Sequence, residues 1–96
     1  MVNIIYDFLI DEGISSNVIG FRHIMNAIEI LCAEKEWKFG GEGGIYDRIA
    51  KKQDKGYGWR TIERSCRYAN SKAKRYSEMT MKEWLVWIAV EVKAKC

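Results

Sequence analysis

Apolar residues recur along this chain at the three- and four-residue intervals of amphipathic α-helices. The first such run predicts a helix over about Val2 to Asp11, in which Ile5, Phe8 and Leu9 share one face. Gly13 follows the run, where a helix commonly closes with a left-handed residue. Proline is absent and the glycines are grouped, so the pattern predicts an all-α fold with short turns.

A second helix is predicted to begin after Ser15 to Asn17, whose side chains are typical of helix N-caps. Its periodic apolar positions predict the central core helix: Phe21, Ile24, Met25, Ile28, Leu31 and Cys32. Gly20 lies in this pattern and lowers helix stability, unless the helix breaks there or another backbone packs close to it. The sequence leaves both alternatives open.

A short third helix is predicted over about Ile45 to Gln53, after a glycine-rich connector that lacks the lysine and hydroxyl residue of a phosphate-binding Walker loop. The last helix is predicted from Thr80 to about Lys95, because Thr80 and Glu83 have the spacing of a capping box. With the segment between them, these elements predict one domain over 1–96, a compact bundle of about five to six helices.

The segment from Trp59 to Tyr76 has the most informative pattern in the chain. Its apolar residues form one continuous helical stripe: Trp59, Ile62, Cys66, Ala69, Ala73 and Tyr76. The nearly opposite face of the same predicted helix carries Arg60, Arg64, Arg67, Ser71 and Lys74. One face of a helix over 59–76 is therefore expected to enter the core, while the other is cationic.

Charge is segregated along the chain, although the formal net charge is only +3. Residues 1–45 carry three basic and seven acidic residues, whereas residues 46–76 carry ten basic and three acidic residues. Local charge sets the field that a phosphate backbone meets, so a polyanion is expected at the central segment. The alternative is a solvated surface that is basic without a partner.

A short helix, a glycine-containing turn and a longer basic helix make a helix-turn-helix pattern, which places its second helix in the major groove of double-stranded DNA. Residues near the start of that helix are expected to read bases: Arg60, Thr61, Glu63 and Arg64. Phosphate contacts are expected from Lys51, Lys52, Lys55, Arg67, Tyr68 and Lys74. For Glu63, an ion pair with Arg60 or Arg67 is an equally open alternative.

Two segments carry a family resemblance: Ile45-Tyr46-Asp47-Arg48-Ile49-Ala50-Lys51-Lys52 and Ile62-Glu63-Arg64-Ser65-Cys66-Arg67-Tyr68-Ala69. They resemble the helix-turn-helix of the C-terminal DNA-binding effector domain of the sporulation master response regulator of Firmicutes. Weaker likeness extends to Glu12-Gly13-Ile14, Ile19-Gly20-Phe21, Ala27-Ile28 and Glu83-Trp84. The resemblance implies a six-helix domain that binds short DNA boxes, often as tandem copies, and regulates transcription by engaging RNA polymerase.

The sequence departs from the family pattern beside the expected groove. Thr61 replaces an arginine, Tyr68 a histidine and Gln53 a phenylalanine, and the turn from Lys55 to Trp59 is about two residues longer. These departures leave the target DNA sequence open. The family's phosphorylated receiver domain is absent, which implies an excised domain or a stand-alone protein that phosphorylation does not switch.

A protein-binding module is the alternative function. Val86, Trp87 and Val90 add apolar surface to the last helix beyond its core face. Such a module would dimerise through the Trp87 face, or would modulate polymerase or another regulator, with little DNA affinity.

An enzyme, a cofactor and a metal site are not expected. His23 is the only histidine and has no catalytic partner at a motif spacing, which favours a surface or partly buried structural role. Cys32, Cys66 and Cys96 lack the spacing of zinc ligands and are expected to be reduced thiols, the first two in the core. No apolar run reaches the ~18 residues of a membrane span, and no leader pattern opens the chain, so a cytoplasmic location is expected.

Overall fold

A computed structural model of the chain describes residues 1–34, 36–53, 56 and 58–96. Five helices lie within these ranges: α1 Val2–Asp11, α2 Ile19–Ala33, α3 Ile45–Gln53, α4 Trp59–Asn70 and α5 Met81–Lys95. The described residues contain no strand. The all-α prediction is confirmed, and the bounds of α1, α3 and α5 agree with the expected ones.

The helix α2 lies at the centre of the bundle and packs against each of the other four helices. Large apolar side chains from every helix meet there with essentially no exposure to solvent: Ile5, Leu9, Ile24, Ile28, Ile49, Ile62, Trp84, Leu85 and Ile88. Each such side chain contributes about 1.5–3 kcal/mol through burial. Helices α4 and α5 both pack on α2 and hardly touch each other, so they lie on different sides of it.

Gly20 lies where α2 and α4 approach most closely. A Cβ atom at this position would be 2.1 Å from the carbonyl oxygen of Ser65 and 2.9 Å from the Cβ of Ala69. Helix α2 runs from Ile19 through Gly20 without a break. Of the two alternatives that the sequence leaves open, the close approach of another backbone is therefore the one present.

The two expected helix caps have different outcomes. In α5, the Thr80 hydroxyl accepts from the Glu83 amide at 3.2 Å, and the Glu83 carboxylate accepts from the Thr80 amide at 2.9 Å, which confirms the capping box. The Thr80 amide also holds the pKa of Glu83 below its usual value. The predicted N-cap for α2 is wrong, because α2 begins after Val18 and the Ser15 hydroxyl accepts from the Asn17 amide instead.

Helix α4 ends at Asn70, six residues before the predicted end at Tyr76. Turns follow over 71–79, held by contacts from the end of α1. The backbone carbonyl of Glu12 accepts from the Lys74 amide at 2.9 Å. This tertiary hydrogen bond takes an amide that a longer α4 would use within the helix. Lys74 therefore lies beyond α4, and the expected cationic face of the helix ends near Arg67.

The buried Glu12 side chain joins the same turns to α5. One carboxylate oxygen accepts from Arg75 at 2.5 Å and the other from the Trp84 indole N–H at 2.9 Å. The Arg75 guanidinium also lies 4.6 Å from the centre of the Trp87 ring, and Trp87 meets Phe8 edge to face. These contacts fix the segment that follows α4 between α1 and α5.

None of the described helices is both long enough and apolar enough to cross a membrane.

The three cysteines are free thiols in different surroundings. Cys66 lies on the buried face of α4, and burial raises its pKa to about 12. Cys32 is half-buried, and its pKa is raised by desolvation despite the nearby Lys93. Cys96 is exposed at the chain end.

These surroundings predict three rates of thiol modification, because the thiolate is the reactive form. In native protein at pH 8, a chromogenic disulfide reagent is expected to modify Cys96 first, Cys32 more slowly and Cys66 only when the protein unfolds. A Cys96→Ser chain should lose only the fast phase. Modification of all three thiols at one rate in folded protein would contradict the placement of Cys66.

Candidate nucleic-acid interface

The helix α4 has one buried and one exposed face. The buried face packs on α2 and α3 through Ile62, Cys66 and Ala69. On the opposite face, five of the predicted contact residues are exposed together: Arg60, Thr61, Arg64, Arg67 and Tyr68. We call these five residues the α4 basic face.

The cations of the α4 basic face differ in how they are held. Arg67 pairs with Glu63 at 3.5 Å, so the ion-pair alternative for Glu63 is present in the structure. The Arg60 guanidinium lies 5.4 Å from the centre of the Trp59 ring. Among the described residues, no carboxylate forms an ion pair with Arg60 or Arg64. These two guanidinium groups, one helical turn apart, keep their hydrogen-bond donors available for a ligand.

Two of the expected phosphate contacts lie in the last turn of α3, where Lys51 and Lys52 are both exposed. The Lys51 ammonium is 3.0 Å from Asp47, and this hydrogen bond raises the lysine pKa. Asp47 also accepts from the Gly43 amide at 2.9 Å. This bond is the main cause of the lowered pKa of Asp47, and the contact with Lys51 is the second cause. Lys74 is exposed beyond α4, and Lys55 lies outside the described residues.

His23 connects the three helices that build this surface. It is buried in α2, with Nδ1 2.5 Å from the Ser65 hydroxyl of α4 and Nε2 3.3 Å from the Gln53 side-chain oxygen of α3. The Ser65 hydroxyl donates to the Ile62 carbonyl at 2.8 Å, so the contacts of His23 join α2 to both α3 and α4. His23 thus has a structural role and is more deeply buried than expected.

A cleft of about 580 Å³ adjoins the end of α3 and the start of α2. Arg22 and Lys52 line it, together with Ser16, Asn17 and the edge of His23. The first turn of α2 opens here without a side-chain cap, and such a turn presents backbone N–H groups. Sequence reasoning missed Arg22, because it is the sole arginine of an acidic segment. Its position early in a predicted helix is the signal that could have identified it.

Within the described ranges, no group of three or more histidine, cysteine or acidic side chains is placed to hold a metal ion. The exposed charged side chains on this side are mainly cations, with hydroxyl and amide groups around them. No protein-family model, no curated protein and no solved structure matches the chain significantly. The resemblance to the sporulation effector domain accordingly stays a prediction.

Proposed function

We propose that the chain binds double-stranded DNA as a transcription-factor domain, with α3 and α4 as a helix-turn-helix and α4 in the major groove. The observation that carries the proposal is the α4 basic face, because its cations project from a helix whose other face is locked into the core. A recognition helix needs this division, since a fixed pose lets long side chains meet base edges in register.

The dimensions of α4 fit this role. Its 12 residues give a length of about 18 Å, and a major groove about 12 Å wide admits one helix. Arg60 and Arg64 lie in its first half, where such helices meet base edges. An arginine fork can donate to both acceptors of guanine. We assign these two arginines to bases, with Thr61 beside them.

Phosphate contacts would surround the helix. Arg67, held by Glu63, and the exposed Tyr68 follow along α4, and the lysines at the end of α3 flank it. We add Arg22 to this set, because it shares the cleft with Lys52 and with the first turn of α2, and helix N-termini favour phosphate. Lys55 and Lys74 stay candidates from the sequence.

In the cell, this domain would act in the cytoplasm as a regulator of transcription similar to the sporulation effector domain, engaging RNA polymerase near the bound DNA. A function without DNA remains the alternative proposal, and it is favoured by the apolar surface on the other side of α2.

Selection of duplexes from a random pool, followed by anisotropy titrations, tests DNA binding. We expect a motif to be enriched. With about four phosphates neutralised, we expect affinity for it to fall with salt at a log–log slope of about −4. The Arg64→Ala change is expected to weaken binding by about tenfold to a hundredfold and to remove most of the sequence preference.

Lys95→Ala is the matched control, because it removes one positive charge from α5, away from the α4 basic face. It should change affinity by less than about twofold. Absence of duplex binding in low salt, or equal losses in both variants, would refute the assignment of α4 to the groove.

A further inference from the structure

The exposed side of α5 carries an apolar surface that shares no residue with the α4 basic face. Two adjoining hollows share Trp37 and Val86; Val90 lines one of them and Trp87 the other, with charged side chains at their rims. Val90 is 59% exposed and Trp37 is 38% exposed. We call Trp37, Val86, Trp87 and Val90 the α5 apolar face. Contiguous apolar surface of this kind marks interaction sites.

The structure corrects which residues form this surface. Trp87, expected at its centre, is half-buried between Phe8 and the Arg75 guanidinium and contributes only an edge. Trp37 packs edge to face on Phe39 with ring centres 5.1 Å apart, and it was not expected here. The centre of the surface is therefore Val86 and Val90, one helical turn apart.

The charges beside these valines indicate what covers them. Along the exposed side of α5, Glu83, Val86, Val90 and Lys93 follow one another at intervals of three, four and three residues. This spacing is the same in both directions, with its centre at Ile88. When the helix direction is reversed, Glu83 and Lys93 take each other's positions. A second α5 placed antiparallel would set Glu83 against Lys93 and Val86 against Val90, each pair occurring twice. A parallel second helix would set like charges together.

We propose that a second copy of this chain docks on the α5 apolar face, with the two α5 helices antiparallel about a twofold axis near Ile88. Such an interface is isologous, so each copy uses the same patch. Glu83 accepts from the Thr80 amide in the capping box and is exposed to solvent, so its carboxylate can also meet Lys93 of the second copy. Trp37 of each copy covers one flank of the helix pair.

The length of α5 limits the size of this contact. Helix α5 has 15 residues and is about 22 Å long, so a helix pair with two flanking indoles forms an interface at the low end of stable complexes. A small contact of this kind is typical of transient complexes, so we expect a dimer that forms and dissociates reversibly in solution. This inference goes beyond DNA binding and does not depend on it. In such a dimer, the α4 basic face of each copy lies outside the contact, because α4 and α5 hardly touch each other.

Sedimentation velocity across the micromolar range tests the contact in the full chain without DNA. The wild-type chain is expected to pass from monomer to dimer as its concentration rises. Val90→Lys places charge at the centre of the contact on a side chain that is already exposed, so it should give a monomer with an unchanged melting temperature. A monomeric wild-type chain at all concentrations, or a Val90→Lys chain that still dimerises, would overturn the proposal.

A charge exchange tests the antiparallel register. Lys93→Glu leaves two acids on the stripe, and Glu83→Lys leaves two lysines, so each chain alone should dimerise about tenfold more weakly. A mixture of the two should regain the wild-type affinity. Lys95→Glu is the control on the same helix outside the stripe, and it should have little effect. Because Glu83→Lys also removes the capping box, its helicity is measured first. The doubly substituted chain Glu83→Asp/Lys93→Arg conserves both charges and should dimerise as the wild type does. Failure of a folded mixture to regain affinity would refute the register.

Discussion

A Gly20→Ala chain is expected to be less stable than the wild-type protein by about 3 kcal/mol, the upper part of the range for overpacked cores. The added methyl group would lie 2.1 Å from the Ser65 carbonyl oxygen, which belongs to backbone and cannot rotate away. Helices α2 and α4 would have to separate. Urea unfolding followed by tryptophan fluorescence measures the loss of free energy.

Gly58→Ala is the matched control for this substitution. Among the described residues other than its chain neighbours, none has a heavy atom within 4 Å of a Cβ built at Gly58, and its φ of −85° suits any residue. Its cost should stay below about 1 kcal/mol, which reflects only the poorer N-cap that alanine makes. Equal stability losses in the two variants would show that α2 and α4 are not in close backbone contact.

The Gly20 contact also bears on function, because α4 is the helix that we assign to the major groove. A shift of α4 away from α2 would move Arg60 and Arg64 relative to the lysines of α3. Any Gly20→Ala protein that stays folded in the cold is therefore expected to bind duplex DNA more weakly, although no residue of the α4 basic face has changed.

Apolar periodicity and capping residues predicted the helix bounds that depend on interactions between residues close in sequence. The bounds of α1, α3 and α5 follow from apolar periodicity and from one capping box, whose partners are three residues apart. The end of α4 could not be predicted in this way. Periodicity continues to Tyr76, but the Lys74 amide donates to the carbonyl of Glu12, more than sixty residues earlier in the chain, and this bond takes the amide out of the helix.

In the candidate interface, too, local features were predicted from the sequence and long-range contacts were not. Periodicity placed Arg60, Arg64 and Arg67 on one exposed face, because a helix surface is a local property. The roles of His23 and Arg22 depend on how α2 lies against α3, and their partners are distant in sequence. Pairing of Glu63 with Arg67 was one of two open alternatives, since i, i+4 spacing allows the pair but does not require it.

Replacement of Glu12 by alanine is expected to destabilise the protein by about 2–4 kcal/mol. The carboxylate is buried and accepts from both Arg75 and the Trp84 indole. Arg75 is partly exposed and can turn to water, so its lost ion pair accounts for the smaller share. The Trp84 N–H is buried and would lose its acceptor, which costs about 1–3 kcal/mol.

Two further variants separate these contributions. Glu12→Gln keeps an acceptor for Trp84 and removes the charge, so its cost should be about half that of Glu12→Ala. Arg75→Ala removes the ion pairs with Glu12 and Glu78 and the contact with the Trp87 ring. It also leaves the buried Glu12 carboxylate without its counter-charge, so it should cost more than the ~1 kcal/mol of a surface ion pair. Urea unfolding of the three chains gives the free energies. A Glu12→Gln chain as unstable as the Glu12→Ala chain would reverse our assignment of the larger share to Trp84.

Amide hydrogen exchange at Lys74 extends the Glu12 prediction to the end of α4. The Lys74 amide donates to the backbone carbonyl of Glu12, which is held in place by the side chain of the same residue. Loss of that side chain should speed exchange at Lys74 more than at Cys66, within the helix. The Lys74 amide would then be free to form a helical hydrogen bond, as the periodicity of 71–76 favours, and α4 should extend toward Tyr76. Unchanged protection at Lys74 would mean that the Glu12 side chain does not determine where α4 ends.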